Sequence, residues 1–88
     1  MSDKNMNSYD NASSVSLREN VTEVMHHYFT NLKGEEPSNV YDFFLDEIEE
    51  PLLTIVMKYT RQNQSEAARI LGISRGTLRS KLKKFGML

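Results

Sequence analysis

The 88-residue sequence contains no cysteine. Neither a disulfide framework nor a thiolate-ligated zinc site can therefore stabilise the chain. A chain of this length buries only a modest fraction of its surface, so packing must supply the stability. Self-association would enlarge the buried surface, and the length therefore favours a homodimer.

Long hydrophobic runs are also absent. No stretch approaches the roughly 18 apolar residues typical of a membrane span, and the N-terminus lacks the apolar core of a secretory signal. We therefore expect a cytoplasmic protein without a membrane partner. Residues 1–15, rich in Asn, Ser and Asp, are predicted to form a flexible N-terminal tail.

Signatures of catalysis and cofactor binding are missing too. The sequence has no glycine-rich phosphate loop and no discernible serine, histidine and carboxylate arrangement. His26 and His27 are adjacent, hence about 100° apart on a helix, and cannot chelate one ion. The Glu23-x-x-His26 spacing matches di-iron bundles, but Glu47 and Glu50 fall off the apolar face. We expect no enzyme, no cofactor, no metal site and no small-molecule substrate.

Charge is distributed unevenly along the chain. Residues 1–60 contain four Lys or Arg and eleven Asp or Glu, a net charge of −7. Residues 61–88 contain seven Lys or Arg and one Glu, a net charge of +6. Six of these basic residues lie between Ala68 and Lys84. A basic end beside an acidic body favours a polyanionic partner, above all nucleic acid.

A first amphipathic helix is predicted over about residues 17–32. Ser16 and Glu19 have the spacing of a capping box, in which each side chain bonds to the backbone amide of the other. The apolar positions that follow recur in steps of three and four. The predicted core or dimer contacts on this helix are Val21, Met25, Tyr28 and Phe29.

A second helix is predicted from Ser38 or Asn39, either of which can cap it, to about Tyr59. Pro51 is expected to kink this helix without breaking it, because the apolar periodicity continues on both sides. Eight apolar residues fall on an arc of about 120°. We predict that this arc is one core face; it contains Tyr41, Phe44, Leu45, Ile48, Leu52, Ile55, Val56 and Tyr59.

Other apolar residues of the second helix lie outside that arc, namely Val40, Phe43, Leu53 and Met57. Because a small protein rarely leaves so much apolar surface in water, a second copy of the chain is predicted to cover them. Residues 16–60 are therefore predicted to be the dimerisation region. Its dimer or core contacts on this helix are Tyr41, Phe44, Leu45, Ile48, Leu52, Leu53 and Val56.

Residues 61–88 have the spacing of a helix-turn-helix. Asn63 opens a second capping box, NQSE, before a helix of about two turns. Gly72 permits a sharp turn, and Ser74 can cap a further helix from Arg75 to about Phe85. Offsets 1, 5, 9, 10 and 15 of the motif are occupied by Gln64, Ala68, Gly72, Ile73 and Leu78.

The last helix has a basic outer face that fits the major groove of DNA. Its first turn is expected to face base edges, with Arg75 bonding to guanine and Thr77 and Arg79 near bases. Discrimination among DNA sequences then depends largely on DNA shape, because only one arginine reads bases among many phosphate contacts. The expected backbone contacts are Asn63, Gln64, Ser65, Ser74, Lys81, Lys83 and Lys84.

These residues resemble the Fis family, the factors for inversion stimulation of bacterial nucleoids. The resemblance covers residues 17–87 and rests on YF at 28–29, EPLL at 50–53, YTRxNQ at 59–64 and GIxRGTLRxKLKKxGM at 72–87. It implies an intertwined all-α homodimer with four helices per chain, which binds and bends double-stranded DNA and regulates transcription broadly. RNA polymerase and recombinases are further candidate partners.

The chain departs from that family at several positions. Glu66 stands where a basic residue is usual, and Ser80 replaces a usual lysine. Both changes predict weaker or more salt-sensitive binding. Residues 1–15 lack the alternating strand pattern of the family's invertase-stimulating arm, so we do not expect that activity here.

Three alternatives remain open. From about Pro51 the sequence also resembles the C-terminal DNA-binding domain of enhancer-binding activators, although a start at Met1 without an ATPase domain favours the first interpretation. A helical protein-interaction module would bind no duplex even at low salt. A metal-dependent helical enzyme would contain stoichiometric iron or manganese.

Overall fold

The computed structural model describes residues 16–88, and the predicted tail at residues 1–15 lies outside the described residues. The described residues fall into two compact units, a first unit that ends at Ser38 and a second unit Asn39–Leu88. The described part contains four α-helices and no strand, which confirms the predicted fold class. The helices are α1 Leu17–Thr30, α2 Val40–Tyr59, α3 Gln64–Leu71 and α4 Arg75–Lys84. None of these helices is both long enough and apolar enough to cross a membrane.

The predicted capping box begins α1. Ser16 Oγ accepts a hydrogen bond from the Glu19 amide at 3.1 Å, and Glu19 Oε1 accepts one from the Ser16 amide at 3.0 Å. The helix ends two residues earlier than predicted, because Asn31 Nδ2 donates to the His27 carbonyl at 2.8 Å and caps the last turn. Along α1, Val21, Met25 and Tyr28 are half-buried and Phe29 is exposed.

The second helix, α2, continues through Pro51 as predicted. Its first backbone hydrogen bond runs from the Phe43 amide to the Asn39 carbonyl at 3.0 Å. Asn39, one of the two predicted caps, occupies the cap position, but the predicted side-chain cap is not formed. Asn39 has a left-handed backbone, with φ 52°, and its side chain makes no capping hydrogen bond. A side chain reaches the amides of the first turn from extended backbone instead.

A short turn connects α2 to α3. Arg61 and Gln62 both have positive φ, 55° and 68°, a conformation that costs a side-chain-bearing residue energy. Two backbone bonds hold the turn: the Gln62 amide donates to the Met57 carbonyl at 2.8 Å, and the Asn63 amide donates to the Thr60 carbonyl at 3.1 Å. The turn therefore returns α3 directly onto α2.

The core of the second unit lies among α2, α3 and α4. Leu78 and Leu82 of α4 are its largest fully buried side chains. Burial of one leucine side chain contributes about 1.5–3 kcal/mol. The buried residues are Leu53, Met57, Ala67, Ala68, Leu78 and Leu82. Val56, Leu71, Ile73, Phe85 and Met87 pack against them while partly exposed.

The faces of α2 differ from the prediction at Leu53 and Met57 and along most of the apolar arc, whereas Phe43 is exposed and Val56 packs against the core. Leu53 and Met57, which the helical phase assigns to a second chain, are only 2% and 5% exposed because α3 and α4 of the same chain cover them. The predicted core arc is largely exposed within the unit. Its exposed members are Tyr41, Leu45, Ile48, Leu52, Ile55 and Tyr59. Helical phase shows which residues share a face but does not show what covers that face.

Candidate nucleic-acid interface

A tight turn sets the angle between α3 and α4. Gly72 ends α3 with φ 75°, and its amide donates to the Ala68 carbonyl at 2.9 Å. The Ile73 amide donates to the same carbonyl at 3.1 Å. A side chain at Gly72 would meet no atom within 4 Å, so the backbone conformation alone requires glycine here. The predicted role of Gly72 is confirmed.

The first turn of α4 is held by Ser74. Ser74 Oγ accepts from the Thr77 amide at 3.1 Å, which confirms the predicted cap. The same hydroxyl donates to Thr77 Oγ1 at 2.9 Å. Two hydroxyls expected to contact DNA are therefore bonded to each other, and both remain exposed.

One face of α4 is buried and the opposite face is exposed. Arg75, Thr77, Arg79 and Lys83 are all exposed, whereas Leu78 is fully buried. Among residues 16–88, the side chains of Arg75 and Lys83 make no hydrogen bond or ion pair. These two cations are thus available to an external anion without the loss of an existing contact.

The exposed guanidinium of Arg79 is anchored. Its Nη1 donates to Oε1 of Gln64, at the start of α3, at 2.9 Å. The bond joins residues 15 positions apart and links the two helices of the motif. Gln64 was predicted to contact phosphate and Arg79 to lie near bases, and the structure brings these two side chains together.

The two other cations of α4 face α2 instead of lying outward as predicted. Lys81 Nζ lies 2.9 Å from Glu49 Oε2, and Lys84 Nζ lies 2.7 Å from Asp46 Oδ1. The hydrogen bond that Lys84 donates to Asp46 is the main reason that the pKa of Lys84 is raised above its usual value. Lys81 is half-buried, and its ammonium group is paired with Glu49 instead of facing solvent freely.

These two ion pairs were not predicted from the sequence, although a signal was present. Asp46 and Glu49 are three residues apart on α2, and Lys81 and Lys84 are three apart on α4. Residues with this spacing lie on one side of a helix, so an acidic pair can face a basic pair across two packed helices. The matching spacing indicates the contact only once the packing of α2 against α4 is known.

The start of α3 has only part of the predicted capping box. Asn63 Oδ1 accepts from the Glu66 amide at 3.0 Å, as predicted. The Glu66 carboxylate does not return to the Asn63 amide, which donates to Thr60; it forms an ion pair with Arg69 one turn later. The hydrogen bond from Arg69 lowers the pKa of Glu66. The carboxylate therefore stays charged at pH values below its ordinary titration range. The expected phosphate contact Ser65, beside them, is exposed.

Residues 16–88 contain no cluster of three or more metal-ligating side chains. Glu23 and His26, the pair with di-iron spacing, lie on α1 in the first unit. Glu47 and Glu50 lie on α2 in the second unit.

Comparison with known proteins identifies close relatives. The model of the "Bacterial regulatory protein, Fis family" matches residues 44–85, which include most of α2 and all of α3 and α4. "DNA-binding protein Fis" of Yersinia pestis (strain Pestoides F) and that of Enterobacter sp. (strain 638) are each 49% identical over 82 residues, covering 93% of this chain and 84% of the relative. The Proteus mirabilis protein of the same name is 48% identical over the same lengths. The chain belongs to the Fis family of bacterial regulatory proteins.

Proposed function

We propose that this protein is a homodimer that binds and bends double-stranded DNA in the bacterial nucleoid and regulates transcription at many sites. The main supporting observation is α4, which is packed through Leu78 and Leu82 and exposes Arg75 and Lys83 on its other side. A helix anchored on one side and cationic on the other fits the major groove. The relatives named DNA-binding protein Fis support the same partner.

The base-reading contacts are assigned to three residues of α4. Arg75 is the first residue of the helix, and its unpaired guanidinium can form two hydrogen bonds to one guanine. Arg79 is preorganised by Gln64, so less side-chain entropy is lost when it meets a base or phosphate. Thr77 can turn its hydroxyl from Ser74 to the DNA.

The phosphate contacts differ in their expected contribution. Lys83 is unpaired, so a phosphate contact there adds a full new interaction. Lys81 and Lys84 must exchange Glu49 and Asp46 for phosphate, so their net contribution is smaller. The N-termini of α3 and α4 supply further positive potential. The other proposed phosphate contacts cluster there: Asn63, Gln64, Ser65 and Ser74.

The homodimer is proposed from the exposed arc of α2. Ile48, Leu52 and Ile55 are all exposed within the second unit, on the same helix that Leu53 and Met57 attach to the core. Contiguous apolar surface on a small chain is typical of a protein interface. A symmetric dimer would present two copies of α4, and DNA bends if they are closer than the roughly 34 Å between successive major grooves.

The remaining parts of the proposal follow from family membership. RNA polymerase and recombinases are proposed as protein partners, and the nucleoid as the location. No cofactor and no catalytic step is involved. The dimerisation region is proposed to include α1 and α2, and the DNA-binding region residues 61–88.

The proposal is tested with Arg75→Ala and Lys83→Ala. Wild-type protein is expected to bind duplexes with a salt-dependent affinity and to bend preferred sites, as measured by gel shift and by energy transfer between DNA ends. Arg75→Ala should remove the preference among sites, a difference of about 1–3 kcal/mol for one bidentate base contact. Lys83→Ala should weaken binding to every sequence and lower the salt slope by about one unit.

Each variant is the control for the other, because both remove one cation from the same helix. An equal loss of affinity for all DNA sequences in Arg75→Ala would contradict the base-reading role of Arg75. Absence of wild-type binding to any duplex at low salt would contradict DNA binding itself and favour a protein-interaction module. Straight DNA in the complex would contradict bending alone.

Glu66→Gln is expected to strengthen DNA binding. The substitution removes a negative charge at the start of α3 and releases Arg69 from its ion pair. Binding to all sequences should tighten, and the salt slope should increase by about one unit if Arg69 reaches a phosphate. Titrations at several salt concentrations measure this. Glu47→Gln, an exposed α2 variant with the same charge change, is the control, and equal effects of both would contradict a local role for Glu66.

A further inference from the structure

Gly76 is the second residue of α4 and has an exposed position between Arg75 and Thr77. The three other glycines of the chain all have positive φ, which explains each of them. Gly76 does not have a positive φ. Its backbone conformation is therefore open to any L-residue.

Packing does not require glycine at this position either. A Cβ added to Gly76 would meet no atom of the described chain within 4 Å. Glycine is the least favourable residue in a helix apart from proline. Alanine would therefore suit the free protein at least as well, and the reason for glycine lies in a contact outside the chain.

The position of Gly76 indicates what that contact is. Gly76 precedes Leu78 by two positions, which places it about 200° around the helix from this fully buried side chain. A side chain at Gly76 would therefore project away from the core. The nearest unpaired cation is its neighbour Arg75, so the partner that approaches Gly76 is an anion, such as the duplex bound by this helix.

We infer that Gly76 is the point of closest approach between α4 and the major groove of double-stranded DNA, and that it sets the depth to which the helix enters. The inference rests on the proposed function and adds a positioning residue to it. A single Cβ would hold the helix off by up to about one C–C bond, roughly 1.5 Å. A hydrogen bond between Arg75 and a base would then exceed its normal length, because such bonds weaken beyond about 3.2 Å.

Gly76→Ala tests the inference. The variant should melt at the same temperature as the wild type or higher, as followed by circular dichroism, and should remain in the same oligomeric state in sedimentation. Its affinity for a preferred duplex should fall by at least about tenfold, equivalent to about 1.4 kcal/mol. Ser80→Ala is the matched control. It improves helix propensity one turn later without adding a carbon atom, and its affinity should change by less than about threefold.

The possible outcomes separate the inference from the proposed function. Unchanged affinity in a folded Gly76→Ala variant would overturn the close approach and leave DNA binding intact. Loss of the wild-type oligomer in the variant would assign the contact to a second copy of the chain and also overturn it. If the wild-type protein bound no duplex, both the inference about Gly76 and the proposed function would be contradicted.

Discussion

Leu78→Ala should unfold the helix-turn-helix or leave it only marginally stable. Leu78 is 0% exposed, and Ile73 and Leu82 pack in the same core. Truncation of a buried leucine costs about 2–5 kcal/mol through lost burial and the cavity that remains. Domains of this kind are stable by only about 5–15 kcal/mol, and no disulfide supports this one. Urea denaturation followed by circular dichroism measures the loss.

Leu88→Ala is the control for this prediction. The same side-chain atoms are removed, but Leu88 is 55% exposed, so its truncation should change the free energy of unfolding by less than about 0.5 kcal/mol. Both variants must be compared at one protein concentration, because association stabilises the folded state by mass action. Similar losses of unfolding free energy in the two variants would show that burial of Leu78 does not anchor α4 to the core.

Ile48→Asp should convert the proposed dimer into monomers. Ile48 is 44% exposed in the middle of the α2 arc, so an aspartate there is tolerated by the isolated chain but would be buried between two chains. A buried unpaired carboxylate is strongly unfavourable at an interface. A monomer binds with one α4 only, and the loss of linked binding is expected to lower affinity for a full site by about 10²–10⁴-fold.

Sedimentation equilibrium and gel shift on the same samples test this prediction. Thr54→Asp introduces the same charge at an exposed position about 120° around α2 from Ile48, outside the apolar arc, and should remain dimeric. A wild-type monomer would contradict the dimer, and a dimeric Ile48→Asp variant would contradict the assignment of the arc to its interface. Bending should disappear together with the dimer, because one recognition helix imposes no spacing on the groove.

Features determined by a few neighbouring residues were predicted correctly from the sequence. Ser16 and Ser74 cap their helices as the spacing indicates, and Gly72 adopts the left-handed turn. The offsets of Ala68 and Leu78 also predicted the core of the helix-turn-helix. The caps and the turn depend on hydrogen bonds within about one turn, and the motif from Gln64 to Leu78 spans only 15 residues, so the local sequence is sufficient.

Two predicted side-chain caps are not formed as expected, one because of a competing partner and the other because of the backbone conformation. Glu66 has the spacing of a capping box, but Arg69 lies three residues further on and offers a stronger, charged partner. Asn39 precedes a helix as a cap should, yet its backbone is left-handed and its side chain cannot reach. Composition and spacing allowed either arrangement, and the backbone geometry decided between them.

The sequence by itself determined the four helices, the caps at Ser16, Asn63 and Ser74 and the exposed cations of α4, because these depend on local periodicity and on charge. Only the tertiary structure decided that Leu53 and Met57 face the chain's own core and that Lys81 and Lys84 bind acids of α2. The two ion pairs join residues 32 and 38 positions apart, and Leu53 and Met57 pack against residues of two other helices. Their partners depend on which helix packs against which, and helical phase is equally consistent with either face.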